Sequence, residues 1–248
     1  MAKRTLSLLA AAAIAAGGLT TAVAVTSPAP AAAQDCYTWS GTLSEGDSGE
    51  AVTELQIRVA GWMSTGEHLT IDGEYGPATA AAVKRFQSGY GLSADGVAGE
   101  QTFNKIYELT SSDCTPAHFE YSEFDENCGA NSFEGGKVSA GEAMENTRRV
   151  MWQLEAMRHK LDDTPLGITS GIRSVDCNAS VGGSASSRHM WADAADLGNG
   201  ANSVAHCTLY HAARDAGFTE ILGAGYPNHD DHVHVANGTS QNHQAPNC

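Results

Sequence analysis

Positive charge is scarce in this sequence. Lys and Arg number 14 against 29 Asp and Glu, a formal charge of −15 over 248 residues. Binding to a phosphate backbone relies on clustered Lys and Arg whose contacts release counterions, so nucleic acid is excluded as a partner. Charge of either sign is sparse, at 17% of residues against 42% hydrophobic, which excludes a solvated disordered chain. Beyond the first 25 residues no run is apolar enough to span a bilayer. The six cysteines contain no C-x-x-C pair, so a zinc ribbon or a dithiol redox motif is excluded as well.

What the N-terminus does have is an address. Lys3 and Arg4 precede an Ala-rich apolar run from Leu6 to Val25, followed by Ser27-Pro-Ala-Pro and A-x-A sites. This basic, apolar, small-residue order reads as a secretory signal over residues 1–33. Gly17, Gly18, Thr20 and Thr21 argue against a retained anchor. Loss of Lys3 and Arg4 leaves 12 basic residues against 29 acidic, a charge of −17. The mature chain is expected to be secreted, with no membrane association after cleavage. In an oxidising compartment an even set of cysteines reads as disulfides. Sequential pairing is expected: Cys36–Cys114 stapling the ends of a module, then Cys128–Cys177 and Cys207–Cys248.

Within a module expected over residues 36–114, residues 43–109 show a weak internal repeat. Asp72-Gly73-Glu-Tyr-Gly76 and Asp95-Gly96-Val-Ala-Gly99 are both tight-turn sequences, each followed by a helix start carrying a Thr, at Thr79 and Thr102. Val52, Leu55, Val59 and Trp62 recur at helical spacing, as do Ala82, Val83 and Phe86. The expectation is an all-α unit of three helices. The ordered motifs G-D-S-G-E-A-V over 46–52, D-G-x-Y-G-P-x-T from Asp72 and D-G-V-A-G from Asp95 resemble the peptidoglycan-binding domain of bacterial wall hydrolases. That resemblance implies peptidoglycan as a partner. A linker over residues 115–134 is polar and lacks a sustained period.

From residue 135 to 248 regular patterns return. Ser139-x-x-Glu142 has capping-box spacing, and Met144, Met151, Leu154, Met157 and Leu161 continue a stripe read as core. Leu166–Ser174 reads as a strand delivering Arg173, residues 203–216 as a helix closed by Gly217, and Thr219–Leu222 and His232–Val235 as short strands. The fold class expected for the whole chain is α+β, with a small antiparallel sheet in this second domain.

Two segments concentrate chemistry: Ser187-Arg-His189-Met-Trp-Ala192-Asp-Ala-Ala-Asp196, and Tyr226-Pro-Asn-His229-Asp-Asp231-His232-Val-His234. A hydrolytic zinc ion takes three protein ligands and keeps one position open for water. With the cysteines committed to disulfides, His and Asp are the candidates. H-E-x-x-H is missing, which excludes ordinary zincins. His232 and His234 have strand spacing and share a face. The residues themselves leave open which of His229, His232 and His234 is the ligand.

The pattern S-R-H-x-x-A-D-A-A-D followed by D-H-V-H resembles that of zinc D-alanyl-D-alanine peptidases, a group spanning secreted carboxypeptidases and VanX-type dipeptidases. The resemblance covers residues 135–248. It implies one Zn2+ ion held by His189, Asp196 and His234, with Asp231 as the catalytic acid–base. It places Arg173 and His229 among the catalytic groups and Tyr226 beside the site; Ser187 is a candidate substrate contact. The family's Gly in the first motif is Ala192 here. The function implied is removal of the C-terminal D-alanine from peptidoglycan stem peptides by a monomeric, secreted or wall-associated enzyme. An endopeptidase acting on stem or crossbridge peptides and a non-catalytic wall-binding protein are the alternatives.

Overall fold

The computed structural model describes residues 36–124 and 133–248; the expected signal segment and Cys128 lie outside the described residues. Glycine and proline set the helix starts of the N-terminal module. Helix α1 (Glu50–Val59) follows Gly49, whose φ of 107° suits glycine. Helix α2 (Pro77–Gly89) opens on proline, and α3 (Glu100–Glu108) follows Gly99. The two repeat turns are closed by one device used twice. Gln56 on α1 donates to Asp72 Oδ1 (2.8 Å) and Thr79 Oγ1 (3.1 Å), and accepts from Gly73 N (2.8 Å). Gln87 on α2 donates to Asp95 Oδ1 (3.0 Å) and Thr102 Oγ1 (3.1 Å), and accepts from Gly96 N (2.9 Å). The Asp-Gly pairs and their threonines are thus parts of turn locks, each centred on a buried glutamine.

Helix α4 (Ala140–Lys160) is capped as its sequence indicates, Ser139 Oγ accepting from Glu142 N at 3.3 Å. It serves two cores. Met151, Leu154 and Met157 pack with Leu209, Phe218, Ile221, Val233 and Val235. Trp152 and Ala156, on another face, join Val52, Leu55, Trp62, Val83 and Phe86 of the module. Gly61 permits this approach, since a Cβ there would stand 2.4 Å from Ala156 Cβ. Met144, the first residue of the expected stripe, is exposed.

Helices α5 (Val175–Ser180) and α6 (His206–Asp215) complete the helical set of the described residues. Strands β1 (Ala194–Gly198), β2 (Glu220–Leu222), β3 (His232–Ala236) and β4 (Asn242–Gln244) form one sheet in the order β1-β3-β2-β4. Both neighbours of β3 are antiparallel to it, but β4 runs parallel to β2. The sheet is therefore mixed, a correction to the expected antiparallel one. With β3 enclosed on both sides, residues 237–241 carry the chain round the start of β2. That reversal makes the next strand antiparallel to β3.

Leu166–Ser174 is not a strand. Its backbone partners are divided: Thr169 N donates to Asp196 O (2.9 Å), Ile172 N to Phe124 O (2.9 Å) and Arg173 N to His189 O (3.0 Å), so no ladder propagates. Within the linker, a 3-10 turn at Tyr121–Phe124 buries Phe124, which joins Phe119 in the core of Met151, Leu154 and Met157. The Cys36–Cys114 and Cys207–Cys248 disulfides are formed, and Cys177 is disulfide-bonded. No helix among the described residues is long and apolar enough to cross a membrane.

Candidate metal centre

The register of β1 on β3 sets Asp196 opposite His234, and directly paired residues share a face of a sheet. A 3-10 turn at Arg188–Trp191 brings His189 to the same point and is closed by Ala192, at φ 57°. The three side chains are buried, and their ligating atoms form a tight triangle. His189 Nε2 lies 3.1 Å from Asp196 Oδ1 and 3.1 Å from His234 Nδ1; His234 Nδ1 lies 2.9 Å from Asp196 Oδ1.

The outer partners decide what these atoms present. His189 Nδ1 faces the Gly171 carbonyl, which only accepts, so Nδ1 carries the hydrogen and Nε2 keeps its lone pair. His234 Nε2 faces Glu220 Oε1 at 3.3 Å, which likewise leaves the Nδ1 lone pair for the centre. A carboxylate oxygen and two imidazole lone pairs then converge in a buried place, an arrangement that calls for a cation. For metal–ligand distances of about 2.0–2.1 Å, tetrahedral ligands stand about 3.3 Å apart, close to the triangle found. The donor set of two imidazoles and one carboxylate also fits zinc.

Electrostatics agree. Burial disfavours a charged His234, yet its hydrogen bonds to Asp196 and Glu220 outweigh that and raise its pKa to about 9. Burial acts to raise the Asp196 pKa but is overcome by the two histidines, which hold the carboxyl well below the usual range. Burial lowers the pKa of His189. Without a metal, one proton fills the positive role.

The other sequence-derived candidates lie round this triangle at different depths. Arg173 donates to Asp196 Oδ2 (2.6 Å) and to Ser170 Oγ (2.8 Å), so its guanidinium is tied to the far oxygen of the triangle's carboxylate. Asp231 is at the surface, 84% exposed, accepting from His232 Nδ1 at 2.7 Å. His232 Nε2 in turn is 3.8 Å from Asp196 Oδ1. His229 donates from Nδ1 to Pro227 O (2.7 Å), and its ring centre is 4.6 Å from that of His232 and 6.1 Å from that of His234. Tyr226 stands edge-on to His229, 5.2 Å between ring centres. Ser187 starts the 3-10 turn, half-buried, with its carbonyl accepting from Met190 N. Sequence reasoning missed Ser170, Gly171 and Glu220. Only the fold shows why Gly171 is glycine: a Cβ there would meet Phe124 O at 2.3 Å.

Comparison with known proteins gives the family of both halves. A family model described as Peptidase M15 matches residues 117–236, and one described as a putative peptidoglycan binding domain matches residues 48–106. The chain is 57% identical over 228 residues to a protein of Streptomyces albus G named zinc D-Ala-D-Ala carboxypeptidase, covering 92% of this chain and 88% of that one. It is 45% identical over 65 residues to a probable N-acetylmuramoyl-L-alanine amidase of Bacillus licheniformis, covering 25% of this chain and 18% of that one. A solved peptidoglycan-binding protein from Clostridioides difficile shares 38% identity, over 26% of this chain and 39% of that chain, with a TM-score of 0.23.

Proposed function

The chain belongs to the M15 peptidases of the zinc D-Ala-D-Ala carboxypeptidase type, and on that premise we propose that it removes the terminal D-alanine from peptidoglycan stem peptides, with the wall held by the N-terminal module. The observation that carries the reading is the buried convergence of three acceptor atoms from His189, Asp196 and His234. These three residues would hold the zinc ion. When bound, zinc polarises the scissile carbonyl and brings the pKa of a water towards about 7.

The remaining roles fall to the chain's own side chains. Asp231, at the open edge of the site, would take the proton from the attacking water and return it to the leaving amine. Its contact with His232 holds it ionised: the hydrogen bond to that ring lowers the Asp231 pKa. Arg173, fixed on Asp196, sets a permanent positive charge beside the centre, placed to stabilise charge developing on the carbonyl oxygen. A planar guanidinium also suits the substrate's terminal carboxylate. His229, its Nδ1 hydrogen engaged by Pro227 O, keeps Nε2 for substrate, and Tyr226 packs that ring in place. Ser187, next to the His189 turn, is proposed as a substrate contact. We propose further that the enzyme acts as a secreted, wall-associated monomer.

The test is release of free D-alanine from a synthetic peptide ending in D-Ala-D-Ala. Activity lost on chelation and restored by zinc is expected. Cleavage at internal bonds alone would make the protein an endopeptidase, and no cleavage would leave a wall-binding protein. An Asp231→Asn protein that holds zinc is expected to lose at least about a hundredfold in kcat; undiminished turnover would remove Asp231 from the mechanism.

A further inference from the structure

Glu220 has no place in the motifs that point to the site, yet the sheet delivers it there. In the register of β2 on β3, Leu222 pairs with His234 and Glu220 with Ala236. Glu220 therefore lies on the same face as His234, one diagonal step away, within reach of a long side chain. Its Oε1 stands 3.3 Å from His234 Nε2, on the side of the ring away from the triangle. On its other side Glu220 is paired in register with Asn242 of the neighbouring strand β4. Three of the four strands thus supply one row: Asp196 on β1, His234 on β3 and Glu220 on β2. Asn242 on β4 extends it.

An imidazole can offer Nδ1 to a metal only if the remaining hydrogen sits on Nε2 and the ring is kept from turning. Gly171 does the converse for His189, its backbone carbonyl taking the Nδ1 hydrogen and leaving Nε2 for the centre. Resting on the zinc-site reading above, we infer that Glu220 is the positioning residue for His234: it fixes the Nε2–H tautomer and the ring angle, and so presents Nδ1 to the ion. It is not a ligand, because the ring stands between it and the centre. A carboxylate behind the ring also makes His234 a more basic donor than a carbonyl would. The alternative is an ordinary surface ion pair, which would stiffen the sheet edge and leave metal binding alone.

The two roles separate in the metal affinity and the ligand field. Full-length protein, stripped of metal, is titrated with zinc against a chromophoric chelator and, separately, with cobalt while its d–d absorption is recorded. Glu220→Ala is expected to weaken zinc binding by about 10- to 100-fold and to shift the cobalt bands. Glu220→Gln, which keeps an acceptor oxygen without the charge, is expected to fall between wild type and alanine. Wild-type zinc affinity and an unshifted cobalt spectrum in Glu220→Ala would overturn the inference, whatever its melting temperature. If the alanine variant does not fold, the glutamine variant decides: zinc bound at least about threefold more weakly supports the role, and unchanged binding overturns it. A wild-type chain that takes up no zinc would instead overturn the function proposed above, so the two failures are distinguishable.

Discussion

Ala192 sits in the left-handed region, at φ 57° and ψ 26°, where its family carries glycine. That backbone costs an L-residue about 1 kcal/mol or more, while burying one methyl contributes about 0.8 kcal/mol. The terms nearly cancel, which explains why alanine is accepted. Ala192→Gly should change stability in urea by less than about 1 kcal/mol, whereas Ala192→Val, β-branched and overpacked, should cost more than about 2 kcal/mol. His234 carries a pH prediction. Its metal-free pKa of about 9 lies above the ordinary 6.5, so zinc must displace a proton at pH 7. Zinc affinity should rise by up to about tenfold per pH unit as pH approaches 9, measured by chelator competition across that range. Stability of the metal-free protein runs the other way. The protonated ring's contribution is complete below the unfolded value near 6.5 and is lost as pH rises through about 9. At this scale the residue types and spacing of His189, Asp196 and His234 were legible. Which of three nearby histidines completes the triangle was not, because strand spacing alone gives His232 and His234 the same face.

Among the elements, helices were the more legible. Ser139 and Glu142 mark the start of α4, and the Asp-Gly turns mark the module's joints. β1 was missed because all five of its residues, Ala194–Gly198, are buried; a strand covered on both faces shows no alternation, and Ala, Asp and Gly are poor strand formers. The Leu166–Ser174 segment failed in the opposite sense: it has the composition of a strand but no single neighbour to pair with. The turn locks give an element-scale prediction. Gln56 makes five hydrogen bonds from a buried position. Gln56→Ala should cost on the order of 2–4 kcal/mol by stranding those partners, with a comparable loss for Gln87→Ala, both read from denaturant midpoints.

Across the whole molecule, α4 joins the two cores and buried charge reinforces the junction. Arg148 grips Glu54 of α1 with two bonds of 3.0 Å and Glu145 with two more, of 3.0 Å and 2.6 Å. Lys160 reaches the Gly61 carbonyl at 2.8 Å. Arg148→Ala should cost about 1.5–3 kcal/mol through the lost charged hydrogen bonds to Glu54, which keeps Arg58 as a partner, and limited proteolysis should then cut faster between the module and α4. The module expressed alone over residues 36–116 should unfold below the melting temperature of the full chain, since the socket filled by Trp152 would be open to water. The sequence by itself determined the exclusion of nucleic acid, the α+β class, the repeat turns and the two segments whose His and Asp residues are candidates for a metal, because composition, short-range spacing and turn chemistry are local properties. Only the tertiary structure decided the mixed sheet, the sharing of α4 between two cores and the places of Gly171 and Glu220 behind His189 and His234. Those depend on which strand lies beside which, and on residues far apart in the chain meeting at one face.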